Sequence, residues 1–390
     1  MGALLNDQYT FELLLSLLIP LLVCSCLVFA LERISLSPLP YLLFFSISIT
    51  SILGLTKTLT GSHAAATNIY LYGLSFYSAS LAYLLKNKKL SIQEIFHISN
   101  PLLLITGPIA IFVKNSKRSI SKRIKYYFPF IVLGLFLSQA IAPNLVGTFF
   151  LIEKTDAISS LVFAMIFELF VYANFCGLSL LIYGISGVMG FKIPLNFKQP
   201  FSSTNIIDFW KGWHRTLSIV LKGLFYLPLK KRFPTEIALL GVYISSAMWH
   251  GVSFNFLLWG LFHSLMFILT LWLLRRKMHL ITFPLLIFSI IFGRLLFADS
   301  DTSRLISKLA FPYDGFSSIT LLLNMPRMTL LSIFLIFTFV LCEIIFQKYS
   351  LFRARNYKFY RLPIVSCILL ILTLAMISVS DGSYAVYGQR

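Results

Sequence analysis

Charged residues are scarce in this 390-residue chain. Asp, Glu, Lys and Arg together account for 12% of the sequence, whereas hydrophobic residues account for 58% and the mean hydropathy is +0.84. A soluble domain covers itself with charged side chains, so this composition excludes an ordinary soluble protein. It indicates a polytopic membrane protein instead.

Acidic residues are the rarest of the charged types. The chain has 14 Asp and Glu against 33 Lys and Arg, and its formal net charge is +19. In a soluble protein this excess would suggest nucleic acid, but here the basic residues lie in short segments between apolar runs, at 86–89, 114–125, 230–232, 275–277 and 348–361. Such segments are typical of cytoplasmic loops that contact anionic lipid, and we expect no nucleic-acid partner.

Cysteine and the usual catalytic motifs contribute little to this sequence. The five cysteines lie in apolar surroundings without metal-ligand spacing, which predicts neither disulfides nor a zinc site. The sequence contains no H-E-x-x-H, P-loop, G-x-S-x-G or dinucleotide fingerprint. We therefore expect no metal and no bound cofactor, and any chemistry must depend on histidine.

Long apolar runs divide the chain into membrane-spanning segments. They cover residues 11–31, 39–55, 68–85, 126–142, 157–190, 236–274, 280–298, 328–346 and 362–379. The first run lacks a basic flank and a cleavage site, so we interpret it as a membrane helix and not as a signal peptide. The runs 157–190 and 236–274 are long enough for two crossings each, and the sequence predicts roughly ten or eleven spans in one domain over 1–390.

One segment between two basic clusters conflicts with a simple crossing. The clusters at 86–89 and 114–125 both have the character of cytoplasmic loops, so a single span between them would put one cluster on the wrong side. Breaks at Asn100-Pro101 and Gly107-Pro108 favour a re-entrant segment that enters and leaves on the same face. Irregular backbone at membrane depth needs protein or a water-filled cavity around it, so the pattern predicts a cavity open to the cytoplasm.

A second irregular zone, between Phe191 and Pro234, combines prolines, charges and aromatic residues. We predict that a helix begins near Asn205, because side chains that can cap a helix stand just before it. These candidate caps are Ser202, Ser203 and Thr204.

This predicted helix carries the stretch DFWKGWHRTLS at 208–218. Its charged residues share one face because of their i, i+3 and i+7 spacing, and they are Asp208, Lys211 and Arg215. His214 lies on the neighbouring stripe with Trp210 and Trp213. The pattern predicts an amphipathic helix at the membrane interface with its basic residues toward the headgroups.

His250 belongs to the motif WHG and lies in a stretch, Ala238 to Gly260, without any residue charged at neutral pH. An ionisable residue at membrane depth is a functional hypothesis, because its charged form is costly there. Apolar surroundings keep imidazole neutral, the form that can take a proton from a hydroxyl. The alternative is a core histidine that bonds to a backbone carbonyl or to Ser246.

All five tryptophans lie between residues 210 and 272, and this clustering suggests a shaped pocket. His263 lies in the same stretch, 13 residues after His250. In one continuous helix the two histidines would stand about 20 Å apart on nearly opposite faces. They can face a common space only if the helix breaks between Gly251 and Asn255.

These motifs resemble those of the membrane-bound O-acyltransferases, in the bacterial branch that includes alginate O-acetylase and the D-alanyl transfer protein of teichoic acid synthesis. The matching stretches, in family order, are YGLSFYSASLAYLLKNKK at 72–89, ITGPIA at 105–110, YANFCGLSLLIYGISGVMGFKIPLNFKQPF at 172–201, DFWKGWHRTLS at 208–218, YLPL at 226–229, MWHG at 248–251 and LLWGLFHSL at 257–265. The resemblance covers about residues 70–300 and leaves helices within 1–60 and 325–380 as peripheral.

Three residues depart from the family pattern. Asn174 and Cys176 stand where the family usually has Asp and Ser, and Gly212 stands where Arg is common before Trp-His. Both matched histidines are present, so these departures concern the identity of the substrate more than the class of reaction.

The resemblance implies an all-helical ring of tilted spans, with re-entrant segments, around a central tunnel. It implies that His250 is catalytic and that His214 is the second important histidine. Candidate substrate-binding residues are Trp210, Trp213, Lys211, Arg215, Asp208, Trp249, Asn255 and Asn174. Phosphate or carrier contacts could also come from Lys222 and from the basic cluster at 230–232.

The function implied is that of a multi-pass enzyme of the bacterial cytoplasmic membrane. An acyl group, acetyl first, would pass from acyl-CoA or an acyl-carrier thioester to a hydroxyl of an extracytoplasmic polysaccharide or glycolipid, with or without an acyl-relay partner. His250 would act as general base, and His214 or Asn255 would orient it or stabilise the oxyanion.

Two alternatives remain open at this point. The first is transfer of D-alanyl or another acyl group to a teichoic-acid-like, lipid or protein acceptor. The second, of another class, is a transporter or flippase that uses intramembrane histidines as a proton relay. Transporters often contain inverted repeats, and the sequence shows none.

Overall fold

The computed structural model describes residues 38–46, 48–49, 64–100, 102–103, 108–299, 301–313, 320, 323–348 and 363–377. The helices are α1 Leu39–Phe44, α2 Ala64–Lys86, α3 Ile92–Ile98, α4 Ile120–Leu135, α5 Ala157–Met189, α6 Ile206–Gly212, α7 Arg215–Leu221, α8 Thr235–His250, α9 Phe254–Arg275, α10 His279–Ala298, α11 Thr302–Leu309, α12 Arg327–Lys348 and α13 Pro363–Ile377. The strands are β1 Lys114–Asn115 and β2 Phe191–Lys192. The expected span at 11–31 and the residue Gly107 lie outside the described residues.

Two helices continue in altered form beyond their last α-helical residue. α4 passes into a π-helical turn, Phe136–Ile141, and then into shorter helical turns that end at Glu153. α7 passes into a π-helical turn at Lys222–Tyr226 and ends with the short helix Leu227–Lys230.

Five helices in the described part of the chain are long and apolar enough to cross a membrane. They are Ile120–Phe149, Ala157–Met189, Phe254–Arg275, His279–Ala298 and Arg327–Ile345, and α13 is a shorter apolar helix. This confirms the predicted all-α membrane architecture. The predicted total of ten or eleven spans includes segments outside the described residues.

The run 157–190 does not form the two spans that its length allowed. It is the single 33-residue helix α5, which begins where the Asp156 side chain accepts from the Ser159 amide and ends at Gly190, in the left-handed region with φ of 106°. No proline or charge cluster interrupts it, and the prediction of a second crossing here was wrong. The run 236–274, by contrast, divides into α8 and α9.

The segment between the first two basic clusters is broken, as predicted. Its described residues contain the short helix α3 and then irregular backbone from Pro108 onward. The amide of Ile109 donates to Thr216 Oγ1 at 3.0 Å, and the amide of Ala110 donates to Ser80 Oγ at 2.9 Å. After this segment, β1 pairs antiparallel with β2, so that Lys114 lies opposite Lys192.

The main apolar core lies where α4 and α5 pack along each other. α10 packs against the other side of α5, and α8, α9 and α10 pack in sequence as antiparallel neighbours. The C-terminal helices join the same core, since Ile336 and Phe339 of α12 and Met376 of α13 are buried in it. Helices α4, α5, α10, α12 and α13 therefore share one apolar core.

A cluster of charged residues joins the C-terminal end of α10 to α11. Asp299 and Lys308 are both fully buried and lie 2.6 Å apart, and Arg304 donates to both oxygens of Asp299 at 2.8 and 2.7 Å. Burial opposes ionisation of Asp299, but the hydrogen bonds from Arg304 and Lys308 outweigh it and lower the pKa of this carboxyl below its usual value. Arg304 also reaches the exposed Glu153 at 2.9 Å.

We predict that Asp299→Asn destabilises the protein strongly, because the buried ammonium of Lys308 loses its counter-ion. The expected cost is about 3–5 kcal/mol. Glu153→Gln is the matched control, since its side chain is 66% exposed and an exposed pair contributes about 0–1 kcal/mol. Thermal unfolding in detergent measures both, and equal effects of the two substitutions would contradict the interpretation.

Candidate active site

His214 stands at a corner between two short helices. α6 is capped by Asn205, whose side chain accepts from the Asp208 amide at 3.0 Å, and it ends at Gly212. Trp213 is extended, and His214 adopts the left-handed conformation with φ of 40° and ψ of 52° before α7 begins.

This corner corrects two predictions about the segment. The cap is Asn205, not Ser202, Ser203 or Thr204. The predicted continuous helix is wrong as well, because Arg215 begins a second helix and no longer shares a face with Asp208 and Lys211.

The loop before α6 holds the corner in place. The amide of Lys198 donates to the Gly212 carbonyl at 2.9 Å, and the amide of Arg215 donates to the Asn196 carbonyl at 2.7 Å. A Cβ atom at Gly212 would lie 2.8 Å from the Lys198 carbonyl oxygen and 3.0 Å from Pro200 Cα. The absence of a side chain at Gly212 therefore lets the loop approach the helix end.

The aromatic and the charged residues of this segment have different surroundings. Asp208 and Lys211 are exposed and form an ion pair of 2.8 Å. Trp213 and His214 are buried, at 7% and 8% exposure. The predicted interfacial helix is thus corrected, since its aromatic side forms part of the protein interior.

His214 is surrounded by aromatic rings. Its ring centroid lies 5.9 Å from that of Phe76, 6.3 Å from Phe197 and 6.1 Å from Trp249. Neither ring nitrogen of His214 has a hydrogen-bond partner among the described residues.

His250 is the last residue of α8 and is partly exposed. Gly251 follows it with φ of 156°, a conformation that residues with side chains rarely adopt, and α9 begins at Phe254. The His250 ring lies 5.0 Å from Phe297 and 5.7 Å from Trp259, measured between centroids.

The break after His250 brings the third histidine toward the same group of rings. His263 lies 5.0 Å from Trp259, so this tryptophan contacts both His250 and His263. In the same way, Trp249 contacts both His214 and His250. The three histidines and two tryptophans alternate along one aromatic wall.

Two other tryptophans adjoin this wall. Trp210 lies 5.2 Å from His263 and 5.9 Å from Trp259, and Trp213 directly precedes His214. Trp272 stands apart, 48% exposed beneath Arg276. Clustering of tryptophan in the sequence thus corresponds to clustering in space for four of the five.

Several polar atoms along the wall are buried without a hydrogen-bond partner in the described protein. They are both ring nitrogens of His214, Nδ1 of His263, Nε1 of Trp210 and Nε1 of Trp249. Buried polar groups are nearly always hydrogen-bonded, so such a concentration indicates a place where a polar ligand or water binds.

Comparison with known proteins decides the family. Residues 13–291 match the membrane-bound O-acyltransferase (MBOAT) family. The chain belongs to that family.

Individual relatives match over shorter stretches. A peptidoglycan O-acetyltransferase of Helicobacter pylori is 32% identical over 34% of this chain and 27% of its own length. A teichoic acid D-alanyltransferase of Bacillus subtilis is 25% identical over 40% of this chain and 44% of its own length. A probable alginate O-acetylase of Pseudomonas putida is 36% identical over 24% of this chain and 20% of its own length. The matches therefore span less than half the length of these curated relatives.

The remaining predicted site residues of this MBOAT protein do not belong to the wall, and they differ in burial and in hydrogen bonding. Asn255 is buried and donates to the Phe297 carbonyl at 3.0 Å, so its amide joins α9 to α10. Asn174 is partly buried on α5. Arg215 is partly buried and donates to the Leu195 carbonyl at 3.4 Å. Lys222 and the cluster 230–232 are exposed.

The sequence interpretation missed an ion pair beside the wall. Arg294 of α10 donates through Nε to Glu168 of α5 at 2.5 Å, and both side chains are nearly buried. The guanidinium lies 5.8 Å from the Trp213 ring and 5.2 Å from the Phe297 ring. The signal was available, because both residues are ionisable and lie inside apolar runs.

We predict that Gly212→Ala lowers stability, because the added Cβ would press on the backbone of residues 198–200. Overpacking of this kind costs about 1–3 kcal/mol. Gly223→Ala is the matched control, since a Cβ there meets nothing nearer than Tyr83 at 3.4 Å. Thermal unfolding compares the two, and a Gly212→Ala variant as stable as Gly223→Ala would contradict the tight approach at the corner.

Proposed function

We propose that this protein is a membrane O-acyltransferase that transfers acetyl from a thioester to a hydroxyl of an extracytoplasmic polysaccharide or glycolipid. Membership of the MBOAT family supports the reaction class. The observation that carries the proposal is His250, a partly exposed imidazole at a helix end whose ring neighbours are the uncharged side chains of Trp249, Phe256, Trp259 and Phe297.

In the proposed reaction His250 takes the proton of the acceptor hydroxyl. The hydroxyl oxygen then attacks the thioester carbonyl carbon, and the carbonyl oxygen becomes an oxyanion. Collapse of this tetrahedral intermediate forms the ester and breaks the C–S bond. The thiolate leaves with the proton from the His250 imidazolium, so no proton is gained or lost.

The oxyanion requires hydrogen-bond donors close to His250. Trp249 Nε1 can only donate, and it is buried without a described partner. His214 contacts the same tryptophan and has two unpartnered nitrogens. We assign these two residues as donors in preference to Asn255, whose amide already bonds to the Phe297 carbonyl.

The distribution of charged residues between the two ends of the helices supports one orientation of the protein in the membrane. α4 begins after a basic segment, α9 ends at Arg275, and α8 begins just after the basic cluster 230–232. Glu153 and Asp299 lie at the opposite helix ends, and His250 ends α8 on that side. By the positive-inside rule, the basic end faces the cytoplasm and would receive the thioester, as acyl-CoA or on a carrier protein.

A second reaction, with another acyl group and another acceptor, is also a candidate. The similarity to a teichoic acid D-alanyltransferase favours D-alanyl transfer to a polyol phosphate polymer as the alternative. Both reactions use the same base, the same oxyanion donors and a thioester. They differ in the group found after ester hydrolysis, acetate or D-alanine.

His250→Ala is expected to reduce acyl transfer at least about 100-fold, the usual contribution of a general base. The measurement is the base-labile ester content of surface glycan from cells that express each variant, together with thiol release from acetyl-coenzyme A in their membranes. His279→Ala is the control, because His279 is exposed at the start of α10. Substantial transfer by a folded His250→Ala protein would refute the assignment, and thiol release without ester formation would also count against it.

His214→Gly separates the two contributions of His214. Glycine adopts the left-handed conformation without strain and has no side-chain donor, whereas asparagine would keep an amide donor. Loss of an oxyanion donor typically costs about 100-fold or more in rate, and we expect transfer by His214→Gly to fall by that order. If a folded His214→Gly protein remains active while His214→Ala is not, His214 only holds the corner.

A further inference from the structure

The Glu168–Arg294 pair lies between two membrane-spanning helices and has no part in the mechanism above. Its N–O distance is 2.5 Å, and the side chains are 6% and 11% exposed. Glu168 belongs to α5 and Arg294 to α10. A buried ion pair contributes little net stability compared with apolar residues of similar size, so stability alone does not account for it.

The pair has unused hydrogen-bonding capacity. Glu168 Oε1 is buried and has no hydrogen-bond partner among the described residues. Arg294 carries five N–H donors, and the hydrogen bond described for it uses Nε. The pair therefore offers an acceptor and further donors side by side, while its net charge is zero.

The pair adjoins the wall that holds His250. The Arg294 guanidinium lies 5.2 Å from the Phe297 ring, and this ring lies 5.0 Å from the His250 ring. Arg294 also interacts electrostatically with His250. The Phe297 ring therefore contacts both the guanidinium of the pair and the imidazole of the proposed base.

We propose that Glu168 and Arg294 form a binding site for the acceptor, a neutral polyol or sugar, and that they orient its reacting hydroxyl toward His250. This inference rests on the proposed function. A second hydroxyl of the acceptor donates to Glu168 Oε1 and accepts from an Arg294 N–H. The Phe297 ring beside them offers an apolar face for the C–H groups of the same ligand.

Three features favour the acceptor over the thioester as occupant. A free carboxylate oxygen needs a donor, and the thioester group that reacts has no proton to donate. Arg294 lies five residues before Asp299, at the end of α10 opposite the basic loops, which is the side assigned to the acceptor. The zero net charge of the pair suits a neutral hydroxyl group and gives no advantage to an anion.

The test measures acceptor and donor dependence separately. Wild type, Glu168→Gln and Arg294→Lys are purified into nanodiscs and supplied with acetyl-coenzyme A or, in a parallel series, the D-alanyl thioester of phosphopantetheine. The glycan fraction extracted from cells that lack the gene is the acceptor. Ester formed on the glycan is recorded while each substrate is varied in turn.

Loss of a hydrogen bond to a charged group should raise the acceptor KM roughly 10- to 100-fold and leave the donor KM unchanged. Arg294→Lys keeps a cation for Glu168 but loses the planar fork of donors. It therefore carries the test if Glu168→Gln does not fold.

Glu343→Gln is the matched control. Glu343 is also a fully buried carboxylate of a membrane-spanning helix, but the Tyr172 hydroxyl lies 2.8 and 2.7 Å from its two oxygens. Both of its oxygens lie within hydrogen-bond distance of this one hydroxyl, whereas Glu168 Oε1 has no hydrogen-bond partner among the described residues. We expect its acceptor KM to equal that of wild type.

Three outcomes would overturn the inference. An unchanged acceptor KM with a reduced kcat in Arg294→Lys would show that the pair only supports the wall. An equal rise of acceptor KM in Glu343→Gln would show a general effect of intramembrane carboxylates. Absence of transfer by wild type, with His250→Ala indistinguishable from it in cells, would refute the proposed function and the inference together.

Discussion

Irregular backbone inside a membrane needs hydrogen-bond partners from elsewhere in the protein, and one small network meets that need here. Thr216 Oγ1 accepts from the Ile109 amide and donates to Asn196 Oδ1 at 2.7 Å. Asn196 in turn donates to Ser179 on α5 at 3.2 Å and accepts from the Arg215 amide through its carbonyl. These few contacts join the broken segment, the loop before α6, the long helix α5 and the corner that carries His214.

This network explains why the candidate site residues can lie on short, irregular elements and still have fixed positions. His214 has left-handed backbone geometry, which persists only where the surroundings determine it. The backbone of the corner is held on one side by hydrogen bonds with Lys198 and Asn196. On the other side, the His214 ring contacts the rings of Phe76, Phe197 and Trp249.

Composition and hydropathy predicted the all-α membrane architecture of this protein and made its histidines the candidate site residues. The membrane class followed from hydropathy, and His250 followed from a single ionisable group in an uncharged run. A break after His250 was named as the condition under which His250 and His263 could face a common space. It was not predicted, because Gly251 alone does not end a helix. Its backbone angles depend on how α8 and α9 pack together.

Other features lay beyond sequence reasoning for identifiable reasons. The corner at Gly212 arises from the close approach of Lys198 and Pro200, which is a tertiary contact that helical periodicity cannot show. The single helix α5 was mistaken for two spans because length arithmetic assumes a helix nearly perpendicular to the bilayer. Glu168 and Arg294 were overlooked although the rule applied to His250 covers them equally.

The length of α5 has a consequence for the lipid around the protein. Its 33 residues extend about 50 Å, whereas the hydrocarbon core of a bilayer is about 30 Å thick. The helix must tilt steeply, project from the bilayer or deform it, because exposed apolar surface in water is unfavourable. Since α5 also carries Glu168 of the proposed acceptor site and borders the wall, a change in bilayer thickness would act on the angle of a helix at that site. The proposed acyl transfer should therefore depend on the acyl-chain length of the host membrane, a property set by the lipids and not by the substrates.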